Sequence, residues 1–99
     1  MPTLMLMHWP GVTAEEYAAV CERIDFDKAG ERGGIAHVAA VDEDGLHVTD
    51  VWESAEQFQQ FADDTLMPIT RELGVGREEP RIRLLPTIGG WARDRVPAT

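Results

Sequence analysis

Residues 35–58 read IAHVAAVDEDGLHVTDVWESAEQF, and the fold turns on this stretch. Ile35 to Val41 is an apolar run of strand length, Asp42-Glu43-Asp44-Gly45 is a tight turn, and Leu46 to Glu53 returns as the second strand of a hairpin. Ser54 with Gln57 three residues on forms a capping box, so a helix begins where the hairpin ends.

Working outward, that helix carries an apolar stripe of Phe58, Phe61, Ala62, Leu66, Ile69 and Leu73. Pro68 has no N–H to give the carbonyl of Asp64, which predicts a kink or break just before it, and Gly74 is a natural stop. Pro80 to Leu85 reads as a last strand in which Arg81 and Arg83 alternate with Ile82 and Leu84, followed from Thr87 by a mobile or partner-clasping tail, residues 88–99. Toward the N-terminus, residues 3–9 form a first strand closed by Pro10-Gly11. Thr13 and Glu16 form a second capping box, and Tyr17, Val20, Cys21 and Ile24 line one face of the helix that follows. The polar segment from Asp27 to Gly34 reads as a loop.

The order is β-α-β-β-α-β, which predicts one α+β domain over residues 1–99 with a ferredoxin-like antiparallel sheet and two helices on one face. Both alternating sets of the hairpin contain apolar residues: Ile35, Ala39, Val41 and Val51 on one side, Val38, Val48 and Trp52 on the other. A sheet that is apolar on both faces with helices on one needs a second cover, and a homodimer is the simplest.

Ninety-nine residues suffice for one core. The 43% hydrophobic and 27% charged composition is that of a globular chain. A net charge of −9 argues against nucleic acid and anionic membrane surfaces as partners. Leu4 to Met7 is too short for a signal peptide core or a membrane span, which predicts a cytoplasmic protein. Cys21 is the single cysteine and sits on an apolar helix face, as a buried structural thiol would.

Among candidate functional residues, Trp52 at a strand end above Phe58 and Phe61 makes an aromatic wall for a flat ligand, or else completes the core. His37 and Asp50 are the attractive ionisable pair. A two-residue loop at Glu43-Asp44 would put them directly opposite, with the carboxylate orienting the imidazole as a base. A type I turn with a bulge at Gly45 would instead place His37 with Thr49, Val51 and Glu53, and Asp first and Gly fourth favour the bulge. Arg71 could meet a carboxylate or oxyanion, or sit at the surface satisfying a helix dipole. Tyr17 packs in the core or aims its hydroxyl into the cleft. His8, His37 and His47 lie on three different strands without metal-ligand spacing, so no metal site is expected. Neither a phosphate loop nor a dinucleotide fingerprint is present.

The stretch from Val51 to Phe58 resembles the strand–helix junction of the antibiotic-biosynthesis monooxygenase-like group of dimeric α+β barrels, and the element order agrees over nearly the whole chain. The resemblance implies a cofactor-independent oxygenase of aromatic or polyketide-like molecules or a related enzyme; the alternative is a non-catalytic ligand-binding protein. It places Trp52 at the wall of the substrate cavity and Arg71 as a late-helix cation. Val48 stands where that group's oxygenases carry Asn, and Phe58 where they carry Tyr. At the positions matching the heme-degrading branch stand Phe61 and Arg71, without an axial histidine, so no heme is implied. A void beside Trp52 with convergent ionisable groups would favour the enzyme, and a filled core there would favour the binder.

Overall fold

In the computed structural model, which describes residues 2–93, the hairpin closes with Asp42 opposite Gly45. The strands and helices are β1 (Thr3–Pro10), α1 (Ala14–Arg23), α2 (Phe26–Glu31), β2 (Gly34–Asp42), β3 (Gly45–Trp52), α3 (Ala55–Phe61), a π-helical turn (Ala62–Leu66), α4 (Met67–Leu73) and β4 (Arg81–Pro86). The sheet order is β2-β3-β1-β4, every neighbouring pair antiparallel, which is the ferredoxin-like arrangement expected.

The hairpin register differs from the one that turn chemistry favours. The loop is the two residues Glu43-Asp44, so His37 faces Asp50 and Ala39 faces Val48. Gly45 does take a positive φ of 125°, but for a tertiary reason: a Cβ there would lie 2.3 Å from the carbonyl oxygen of Trp9. The end of β1 closes against the turn, where the Gly11 N–H donates to the Asp44 carbonyl at 3.0 Å. The faces follow from this register. Ala39, Val41 and Val48 share the helix side, while Val38 joins Val51 on the other, contrary to the sequence grouping.

The core lies between sheet and helices. Met5, Met7 and Trp9 of β1, Leu46, Val48 and Trp52 of β3, and Phe58 and Phe61 of α3 are its buried side chains. Leu4, Leu6, Val51 and Leu85 alternate with buried or helix-side residues and remain half-buried on the uncovered face.

Three local departures shape the site. The expected loop from Asp27 contains a helix, α2, whose N-terminal N–H groups at Asp27 and Lys28 donate to the Asp25 carboxylate. Ser54 caps α3 by accepting from the Gln57 N–H, but the Gln57 side chain accepts the Ser54 hydroxyl instead of closing a reciprocal box. Pro68 is accommodated by the π turn, in which the Met67 N–H reaches back to Ala62. That turn inserts one residue into the helical phase, so Thr70 becomes buried at 3% exposure while Leu73, assigned to the stripe, is 38% exposed. The tail beyond β4 has no regular structure through residue 93, and the rest lies outside the described residues.

Candidate functional site

A cavity of about 240 Å³ opens between the helix-side face of the sheet and the helices. Met7 and Trp9 come from β1, Val48, Asp50 and Trp52 from β3, and His37 from β2. Tyr17 and Cys21 project from α1, Phe26 from α2, and Phe58 and Phe61 from α3; Leu66 and Thr70 complete the wall. Strand alternation aims Met7 and Trp9 of β1 and Leu46, Val48, Asp50 and Trp52 of β3 into the cavity, and helical spacing does the same for α1 and α3.

One hydrogen-bonded chain crosses its polar end. Asp50 Oδ1 lies 2.6 Å from His37 Nδ1, Asp50 Oδ2 accepts the Trp52 indole N–H at 3.1 Å, and His37 Nε2 lies 2.5 Å from the Tyr17 hydroxyl. A carboxylate only accepts, so the network assigns the His37 proton to Nδ1 and leaves Nε2 as the acceptor of the Tyr17 O–H. The Asp50 side chain is 11% exposed and that of His37 is 32% exposed, so the carboxylate is held in the interior and the imidazole stays reachable. The Phe26 ring closes on the imidazole with centroids 5.6 Å apart. This is the arrangement of a base oriented by an acid.

Burial, then the adjacent Cys21 thiol, then the Asp50 charge raise the Tyr17 pKa above the ordinary 10.0, so the phenol keeps its proton as a donor to His37. Tyr17 is the chain's single tyrosine, so a near-ultraviolet absorbance titration reads it directly and should place its ionisation above that value. The unfolded chain releases this proton first, so stability should fall as pH rises past 10.0. Ionisation at the ordinary value would mean that the hydroxyl is open to solvent.

The candidates separate clearly. His37, Asp50, Tyr17, Val48, Trp52, Phe58 and Phe61 all line the cavity. Arg71 does not: it is exposed, at the surface position given above as its alternative, and the phase shift of the π turn puts Thr70 at the cavity wall in the place of Ile69. Trp52 packs edge-on to Phe58 at 5.7 Å, and its N–H is satisfied by the Asp50 carboxylate. Cys21 is half-buried at the cavity wall and makes no disulfide. Trp9, Met7 and Phe26 were not singled out from sequence. The alternation Thr3, Met5, Met7, Trp9 could have found the first two, and Asp25 as an N-cap before Phe26 and Ala29 could have found the third.

Away from the cavity, His8 and His47 stack with centroids 4.5 Å apart, and His47 Nε2 lies 3.0 Å from Asp42 Oδ1. Among the described residues, no group of three or more His, Cys, Asp or Glu side chains is placed to hold a metal ion. None of the described helices is long and apolar enough to cross a membrane.

Fold and site together define an α+β domain with an aromatic cavity and a carboxylate-oriented histidine at one end. Its fold is that of the antibiotic-biosynthesis monooxygenase-like proteins. The chain superposes on an antibiotic biosynthesis monooxygenase with a TM-score of 0.54 and 10% identity, covering 90% of this chain and 100% of the other. With SnoaB, a cofactor-independent oxygenase from Streptomyces nogalater, the TM-score is 0.55 at 15% identity over 93% and 97% of the two chains. With NE2512, a protein of unknown function from Nitrosomonas europaea, it is 0.66 at 12% identity over 94% of each. No family model matches the chain, and no curated protein matches it in sequence.

Proposed function

We propose that this protein is a cofactor-independent oxygenase, or a closely related enzyme, acting on a small aromatic or polyketide-like molecule held in the cavity. The observation that carries the reading is the His37–Asp50 pair opening into an apolar space beside Trp52. Trp52, Phe58 and Phe61 would hold the ring system, and His37 Nε2 would take a proton from the substrate, either directly in place of Tyr17 or through its hydroxyl. The deprotonated substrate is then the reductant. A methylene activated by flanking rings combines with one dioxygen: a C–O bond forms, the O–O bond breaks, one oxygen remains as a ketone and the other leaves as water with the two hydrogens removed. The protein contributes orientation and a base.

Oxygen uptake by the purified protein with a panel of hydroxylated aromatics tests this. Uptake with formation of the oxygenated product supports the enzyme. No uptake with any member would favour a non-catalytic binding protein, a reading supported by the apolar side chains of Val48 and Phe58 in the wall.

The same reading includes a homodimer. Leu4 lies between Val51 and Leu85 on the uncovered face, and Val38 on the neighbouring edge is 42% exposed. Two such faces closed on each other would bury about 1.5–3 kcal/mol worth of apolar surface for each large side chain fully covered. Light scattering should give about twice the chain mass of 11.0 kDa, and Leu4→Asp should shift it to the monomer. A wild-type monomer at micromolar concentration would overturn this part of the reading.

A further inference from the structure

We infer that the cavity selects a neutral ligand bearing one ionisable hydroxyl at one end of a small ring system, and discriminates against aromatics that carry a carboxylate. The inference deepens the proposed function and rests on the cavity being its ligand site. Among the described residues, the cavity wall contains one formal charge, the anion of Asp50, and neither lysine nor arginine. Arg32 lies over the Phe61 ring at 6.0 Å, but its guanidinium is engaged by Asp64 at 2.9 Å and Thr65 at 3.2 Å. Nothing in the wall therefore stands ready to pair a ligand carboxylate, and the chain's net charge of −9 disfavours its approach.

Charge conservation during proton transfer sharpens the point. With neutral His37 and ionised Asp50, the site and a neutral hydroxyl compound together carry one negative charge. Transfer of the hydroxyl proton to His37 produces a ligand anion next to an imidazolium, and the total is unchanged. A carboxylated ligand brings a negative charge before any transfer and reaches the same balance only by drawing a further proton from solvent onto His37, whereas the hydroxyl compound carries that proton in with it, and unpaired charge is costly to bury. The polar groups Tyr17, His37 and Asp50 form one linked cluster in a predominantly apolar wall, and the Thr70 hydroxyl is spent on the Met67 carbonyl, so the ligand should be polar at one end only. A volume of about 240 Å³ lies under the roughly 300–1,000 Å³ of drug-sized sites, so the ring system is small.

Isothermal calorimetry of the wild-type protein with naphthol, naphthoic acid and hydroxynaphthoic acid at neutral pH tests the inference without requiring turnover. Naphthol should bind at least about tenfold more tightly than either acid. Asp50→Asn, which removes the resident charge, should narrow that gap, with circular dichroism checking that the variant is folded. Equal or tighter binding of the acids to the wild type would overturn the charge rule even if oxygen uptake is observed with some substrate. Binding of naphthol with rejection of the acids would uphold it even if nothing is oxygenated. If none of the three binds, the inference falls together with the cavity's role as a ligand site.

Discussion

His37→Ala is expected to lower turnover about 10²–10⁴-fold, the range that a positioned proton-transfer group contributes. Its side chain is 32% exposed, so little packing is lost and the folded state should survive. Asp50→Asn should approach the same loss by a different route. An amide can offer an N–H to His37 Nδ1, which would move the ring proton to Nε2 and turn the acceptor facing Tyr17 into a donor. Because the two residues act as a unit, the double variant should be scarcely slower than either single one. Initial rates of oxygen uptake with the substrate that passes the panel measure all three. Rates within about threefold of wild type for His37→Ala, far short of a general-base effect, would remove His37 from the chemistry.

The fold was legible because its signals are local. The Thr13–Glu16 box, the turn at residues 42–45 and the Gly74 stop each occupy a few neighbouring residues, and their spacing alone orders the elements. The site was harder. His37 and Asp50 were recognisable as candidates, but whether they meet depends on the parity of the hairpin, and that parity is fixed outside it. The turn sequence favours a bulge at Gly45, yet the end of β1 approaches so closely that Gly45 is used for clearance and the register stays even. The end of the apolar stripe was misread for a similar reason. A regular 3.6-residue count through the second helical segment ignores the extra residue of the π turn, which moves Thr70 into the buried position assigned to Ile69 and leaves Leu73 exposed. Pro68 announces that something must change there, without saying that the helix widens instead of breaking. The Asp25-capped helix α2 was missed because six residues containing a glycine carry too little periodicity to stand out from a loop.

Phe58→Ala should be the most destabilising of the cavity-wall changes, costing about 3–5 kcal/mol, a large share of what a domain of this size has. The side chain is 1% exposed, packs edge-on to Trp52 at 5.7 Å, and sits on the first turns of α3, where it joins that helix to β3. Two effects oppose each other. Removing the ring forfeits its transfer free energy and its aromatic contact, but the space left behind merges with the existing cavity, where a ligand can occupy it. The cost should therefore lie toward the lower end of the range, and a small apolar compound should recover part of it by mass action. Phe61→Ala removes a ring of the same size but also the surface on which Arg32 rests, so in that variant the Arg32–Asp64 pair should loosen as well. Urea unfolding of the wild type and the Phe58 variant, compared at equal slope, gives the difference directly. A shift equivalent to under about 1 kcal/mol would mean that the ring is held loosely and that the helix–strand junction draws its stability from elsewhere.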